Sequence, residues 1–283
     1  MEKIALAADS TSYLPKEVVE KYNIHIVPLN VVFGNETYKE DIELGSSEFY
    51  KKVRTSKALP TTSQPAIGDF ISLYEKLVAS GYEDVILVTL SSHISGTYQT
   101  ATMAGQSVEG IRVHVFDSEI AALAEGFFVL EAAQMIEAGK SVQEILDRLK
   151  DIRERGVKAY FMVDDLNHLH RGGRLTGAQA FLGSLLKMKP ILTFKEKKIV
   201  PIEKIRTKKR ALNRLKEYLE EDAKTGVPIR ASVITAEAQE DADALAAEIR
   251  QTYPNVEVDT GYLGAVIGTH TGEGTIGLTW YTK

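Results

Sequence analysis

Short apolar runs that need burial on both faces, separated by amphipathic helical stretches, constrain this 283-residue chain more than any other feature. Asp84–Leu90 is almost continuously apolar, and Ile111–Phe116 reads the same way. A strand with one wet face alternates apolar and polar residues. A strand without that alternation belongs inside a parallel sheet covered by helices on both sides. Lys3–Ala8 and His25–Phe33 read as further strands, with Gly34-Asn35 as a turn. Helical patterns fill the intervals. Ser12 and Pro15 suit the start of a helix to about Lys21, and Ser46 or Ser47 can cap one to about Arg54. Pro65–Ser80 carries Ile67, Phe70, Ile71, Tyr74, Leu77 and Val78 at helical spacing. Helix resumes after Ser95, then from about Ser118 to Glu137, and again over Ser141–Arg155. The alternation predicts an α/β fold whose N-terminal domain is a mainly parallel sheet flanked by helices.

The second half changes character and predicts an α/β domain with a mixed sheet. Ala159–Val163 reads as strand, Leu166–His170 as a helical turn, and Arg171-Gly172-Gly173-Arg174 as a loop. Ala178–Leu186 has helical spacing. Lys189–Phe194 and Lys198–Ile205 read as antiparallel strands joined at Lys195-Glu196-Lys197. Helix over Thr207–Ala223, strand over Ile229–Thr235, helix over Gln239–Thr252 and strand over Glu257–Gly261 follow, and the Gly-rich end, Gly264–Lys283, reads as β. The boundary falls near Gly156, giving domains 1–156 and 157–283, with no flexible linker to tether them apart.

Bulk properties exclude several functions. A net charge of −5 disfavours a nucleic-acid partner. No apolar run approaches the roughly 20 residues of a membrane helix, so integral membrane association is not expected. Strand-like sequence begins at the third residue, which leaves no room for a signal peptide. Cysteine is absent, removing disulfides, thiolate metal sites and cysteine nucleophiles, and fitting a cytoplasmic protein. No nucleophile elbow, Walker loop, dinucleotide loop or His-Glu-x-x-His motif occurs. His168 and His170, two apart in a helical turn, diverge, and no metal site is expected. The basic run Arg206–Arg210 precedes acids at Glu217, Glu220 and Glu221 and reads as a solvated helix face.

Three polar motifs remain. Thr61-Thr62-Ser63-Gln64-Pro65 and Ser91-Ser92-His93-Ile94-Ser95-Gly96-Thr97 run into helical patterns, and Ile267-Gly268-Thr269-His270-Thr271-Gly272 follows a strand. Helix N-termini and a histidine converging on one point would hold a carboxylate or phosphate. Ser91–Thr97 lies where the Asp84–Leu90 strand ends, the place where ligands bind in parallel sheets. Each motif also has a structural explanation. Thr62 or Ser63 is the natural N-cap of the helix after Pro65, and the hydroxyl could do no more than that. Gly96 lets backbone approach a ligand and leaves the start of the helix at Ser95–Thr97 uncovered. His270 stands among glycines that expose backbone, and an anion beside it would raise its pKa. Arg171 could clamp an anion, or it and Arg174 could pair with Asp164 and Asp165.

Taken together, Asp9-Ser10-Thr11 with Leu14-Pro15, Thr62-Ser63-Gln64-Pro65, Ser95-Gly96-Thr97-Tyr98-Gln99, Arg171-Gly172-Gly173-Arg174 and Ile267-Gly268-x-His270-x-Gly272 resemble the DegV family of bacterial lipid-binding proteins, in order along roughly residues 3 to 280. Lys189-Pro190-Ile191-Leu192 and Lys204-x-Arg206-Thr207 also look like the family. The resemblance implies a two-domain DegV-like α/β fold that binds a long-chain fatty acid such as palmitate in a buried tunnel, without cofactor or catalysis of its own. Family members include carrier subunits that present the acid to a separate fatty acid kinase, which makes an acyl phosphate for phospholipid synthesis. By motif position, Thr62 and Ser95 are similar to the family's carboxylate-binding hydroxyls, with Ser63, Gly96 and Thr97 beside them. His270 matches the head-group histidine, and Arg171 an arginine near the site or on the kinase-facing surface. Three positions depart from the pattern: Ala66 for Ser, Tyr13 where an acid is frequent, and Glu273 for Pro. Two other functions fit the same residues. A serine hydrolase could use Ser95 as nucleophile and His270 as base, oriented by Glu273 or Asp9. A binding module for a phosphorylated metabolite would use the same helix ends.

Overall fold

A computed structural model describes residues 3–177 and 188–283. The helix expected at Ala178–Leu186 lies outside the described residues. The chain divides into two compact units, one of Met1–Gly45 with Pro60–Arg155 and one of Ser46–Leu59 with Gly156–Lys283.

The first unit is built on a four-stranded parallel sheet in the order β2-β1-β6-β7, with β1 over Ile4–Asp9, β2 over His25–Val27, β6 over Asp84–Thr89 and β7 over Arg112–Asp117. All six residues of β6 are buried, as its unbroken apolar run requires. One face of the sheet packs Ala5, Ala7, Val85 and Leu87 against Phe70, Tyr74 and Leu77 of α3 (Ile67–Ala79) and against Ala101 and Ala104 of α4 (Thr97–Gly105). Helix α5 (Leu123–Glu137) packs on β1 and β6, and α6 (Val142–Arg155) packs on α5. The one polar side chain of β6 at its buried start, Asp84, is met by Arg112 and by His114 Nε2 at 2.8 Å. A short helix α1 spans Lys16–Lys21.

Pro28 splits the expected His25–Phe33 strand. It cannot donate to a ladder, and the chain leaves β2 to start β3 at Asn30–Phe33 in a separate antiparallel sheet, β4-β3-β5, with β4 over Glu36–Lys39 and β5 over Thr61–Ser63. The helix expected from Ser118 begins only at Leu123. Residues before it form a loop with left-handed Glu119 (φ 64°) and with Ala122 at φ 60°, ψ −152°.

The second unit holds a six-stranded mixed sheet, β10-β9-β8-β13-β11-β12. Its strands are β8 (Lys158–Met162), β9 (Lys189–Lys195), β10 (Lys198–Ile205), β11 (Ile229–Thr235), β12 (Val256–Tyr262) and β13 (Ile276–Thr282). Only β11 and β12 pair in parallel. The β9–β10 turn places Glu196 and Lys197 at φ 50° and 68°, the mirror-image turn geometry that suits hairpin twist. Helix α8 (Lys208–Ala223), capped by the Thr207 hydroxyl on Arg210 N–H, and helix α9 (Gln239–Thr252) cover the core around Trp280, Ile191, Leu215, Val233 and Ile249.

Two segments of this unit differ from expectation. Ser46–Leu59, which the sequence places with the N-terminal half, folds here, and its helix α2 (Ser46–Thr55) buries Phe49 and Tyr50. Ala265–Thr271 is a helix, α10, where the Gly-rich end reads as β. Val266, Ile267, Thr269 and Thr271 favour strand by type. Packing overrides them: Gly268 lies against the Tyr50 hydroxyl, which itself donates to the Leu263 carbonyl at 3.1 Å, and the Thr269 and Thr271 hydroxyls, turned inward, donate to carbonyls four residues back at 2.8 and 3.0 Å.

Candidate functional site

The structure gathers the polar motifs into two clusters, one in each unit. In the first unit, Thr62 and Ser63 lie on β5 and do not cap α3, whose N-cap is Ala66 with its N–H bonded to Asp69 at 3.1 Å. Pairing with β3 places Thr62 opposite Val31 and Ser63 opposite Asn30. The Asn30 side-chain amide donates to Ser63 Oγ at 3.2 Å and to the Gln64 carbonyl at 3.3 Å. Gln64 then joins this edge to the start of α4. Its amide donates to Thr100 Oγ1 at 3.2 Å, and its head occupies the space where a side chain at 96 would begin, 2.6 Å from an added Cβ. A side chain at 96 would thus have to move the Gln64 head aside, while φ there is an ordinary −80°. Ser95 Oγ sits 2.9 Å from Thr97 Oγ1 and accepts from Thr97 N–H at 3.3 Å, which closes the helix start that Gly96 leaves bare. Thr97 is fully buried, Ser95 and Thr62 are half-buried, and Ser63 is exposed.

The loop between β6 and α4 is pinned from below by two carboxylates at the carboxyl ends of neighbouring parallel strands. Asp9 accepts from Leu90 N–H at 2.8 Å, and Asp117 accepts from Ser92 N–H at 3.1 Å and from Ser92 Oγ at 2.6 Å. This end of the sheet is the position that a parallel arrangement makes available to ligands.

In the second unit, Arg171 ends helix α7 (Asn167–Arg171) and is exposed. Of the alternative pairings with Asp164 and Asp165, none is among these bonds of the described residues: Asp164 binds Lys189 at 2.7 Å, and Arg174 donates to the Gly172 carbonyl at 2.6 Å. Helices α7 and α10 pack through two crossed glycine–histidine contacts. The His270 imidazole lies where a side chain at Gly172 would stand, and His168 lies 2.9 Å from where one at Gly272 would begin. His270 is on the last turn of α10, half-buried with Nδ1 shut off from water. Burial, then the charges of Arg174 and His168, hold its pKa down at about 4. At neutral pH the ring is uncharged, able to donate from one nitrogen and to gain a proton beside an anion. His170 is exposed, so His168 and His170 diverge as their spacing requires.

Glu273, the departure next to His270, is engaged by Arg54 of α2 through Nε at 3.0 Å and a terminal nitrogen at 2.6 Å, with Glu237 on the same guanidinium at 2.8 Å. Asp9 is likewise committed to Thr11 and Leu90. The two carboxylates that could have oriented a histidine base are thus both taken by other partners. Among the described residues no group of three or more histidine or acidic side chains is placed to hold a metal ion.

Sequence reasoning missed Gln64 and Asn30 as organisers of the first cluster and His168 in the second. Nothing in the sequence marks Asn30, because its contact depends on the register of β3 against β5. The glycines were visible, but not what fills the space they leave.

This chain belongs to the DegV family, described as "Uncharacterised protein, DegV family", whose pattern matches residues 3–283. Protein DegV of Bacillus subtilis (strain 168) is 53% identical over 282 residues, 99% of both chains. The crystal structure of DegV, a fatty acid binding protein from Bacillus subtilis, is similar with a TM-score of 0.94 at 52% identity, covering 100% of each chain. A DegV family protein from Thermus thermophilus, described by its fatty acid binding, has a TM-score of 0.92 at 36% identity over 99% of this chain and 100% of its own.

Proposed function

We propose that this chain binds a long-chain fatty acid, such as palmitate, and acts without catalysis or cofactor of its own in the bacterial cytoplasm. The hydroxyls of Thr62 and Ser95, with Ser63, Gly96 and Thr97 around them, serve as carboxylate donors, and His270 is a further head-group donor. Arg171, exposed at the end of α7, serves recognition of the head group or of a partner. What carries the reading is that full-length likeness to proteins described by fatty acid binding coincides with Gln64 bridging from the strand that carries Thr62 and Ser63 to Gly96 and Thr100, beside Ser95 and Thr97. The physics divides the labour. Each buried CH₂ contributes about 0.8 kcal/mol, so about 15 of them give on the order of 12 kcal/mol before the cost of immobilisation. The tail supplies affinity and the polar groups set orientation. The bound acid is then presented to a separate fatty acid kinase for acyl phosphate formation.

Native mass spectrometry of the purified protein, with extraction of what it releases, tests this. A co-purifying long-chain acid, or uptake of palmitate or oleate at one per chain, is the expected result. A mass unchanged after incubation with both acids would overturn the reading.

A further inference from the structure

The Asp9-Ser10-Thr11 motif has no part in the binding proposed above, yet it is fully buried. Thr11 Oγ1 lies 2.7 Å from Asp9 Oδ1 and 2.9 Å from Glu125 Oε2, on the first turn of α5. A threonine hydroxyl carries one hydrogen. Between two carboxyl oxygens it donates to one and must accept from the other, so one of the two acids carries a proton. The partners decide which. Asp9 accepts from Thr11 N–H at 2.9 Å and from Leu90 N–H at 2.8 Å, so both its oxygens already face donors, as an ionised carboxylate requires. Glu125 has only Thr11, and among the described residues its Oε1 has no hydrogen-bond partner.

We propose that Glu125 is a neutral carboxylic acid in the folded protein at neutral pH, donating to Thr11, which donates to ionised Asp9, and that this chain positions Leu90 and the loop leading to Ser95. The surroundings agree. Burial first, and then the charges of Asp9, Glu40 and Asp117, all acidic, push the Glu125 carboxyl well above the usual range. Asp9 is raised less, to about 6, because the bonds from Leu90 and Thr11 oppose its burial. On α6, the helix packed against α5, the cations are engaged elsewhere: Arg148 with Glu131 and Asp151, and Arg153 with Glu119 and the Asp117 carbonyl. Glu40 is held by Ser10 and Tyr13. The positioning half of the inference rests on the reading of Ser95 as a ligand group; the proton does not.

Glu125→Gln is the test, since its amide can donate to Thr11 as the acid does. Infrared difference spectra of the parent against E125Q at neutral pH are expected to show the band of a protonated carboxyl in the parent alone. Its absence would overturn the proton assignment whatever the protein binds. A folded pKa raised above the unfolded one gives stability that is full at low pH and lost as pH rises towards the folded value. The parent is therefore expected to lose Tm relative to E125Q as pH rises above the ordinary carboxylate range, by roughly 3 °C per pH unit while Glu125 keeps its proton in the fold. A constant difference would also overturn it. Palmitate affinity of the parent should fall only above the pH at which the Tm loss levels off, where Glu125 ionises in the folded protein, while that of E125Q holds level; parallel curves would remove the positioning role. A parent that binds no palmitate at any pH would sink the functional reading and the positioning role and leave the proton placement standing on the spectra.

Discussion

At the scale of single residues, two glycines do their work through what occupies the space a side chain would need. Gly96 was legible as a position where backbone is exposed; that Gln64 fills the gap was not, because the two are 32 positions apart and meet only through folding. Gly172 is the sharper case. Gly172→Ala must displace His270 from its seat, and on the proposed reading it is expected to weaken fatty acid binding about as much as His270→Ala, which a titration with a fluorescent acid would measure. Equal affinity for parent and G172A would show that the imidazole's position does not matter. His270 also sets a pH dependence. Its folded pKa of about 4 lies below the ordinary 6.5, so the neutral ring is the form the fold favours. That stabilisation is complete above about pH 6.5 and is lost as pH falls towards 4, about 3 kcal/mol in all for the ligand-free protein. Urea midpoints of the parent should fall relative to those of His270→Gln as pH drops across this window, and a difference that stays constant would contradict the depressed pKa.

At the scale of elements, helix starts and ends were readable where a side chain or a proline signals them, as at Thr207 for α8 and Pro15 before α1. They were misread where tertiary contacts decide. Thr62 looks like an N-cap in sequence and is strand in the fold, because its backbone pairs with Val31. Helix α5 starts late because the chain turns through Ala122 in a region that glycine alone occupies without strain. Ala122→Gly is therefore expected to raise stability by roughly 1 kcal/mol, the relieved strain outweighing the lost methyl contact. Thermal denaturation reads this directly, and a lower Tm in the variant would show that the backbone there is not strained. In α10, the Gly268–Tyr50 contact accompanies a helix in a stretch whose residue types favour strand, its Thr269 and Thr271 hydroxyls turned back onto the helix carbonyls.

At the scale of the whole molecule, the chain leaves the first unit after Gly45 and returns at Pro60, lending α2 to the second. Phe49 and Tyr50 pack there against Gly268, and Ser46 Oγ bonds the Leu263 carbonyl at 3.3 Å. In native-state hydrogen exchange, the amides of α2 are expected to gain and lose protection together with β11 and β13, and not with the flanking β4 and β5. Protection that follows β4 would contradict the division. The sequence by itself determined the α/β class, the fully buried strand β6 and the family, because burial on two faces, turn residues and short motifs are local patterns along the chain; it did not separate β6 from β7, an edge strand whose first residues are exposed or half-buried. Only the tertiary structure decided that α2 folds with the second unit, that α10 is helical, that Gln64 and His270 rest on glycines far away in sequence, and that Glu125 meets Asp9 through one hydroxyl. Each of these depends on residues brought together across long separations, and no local pattern records which surface a side chain will find.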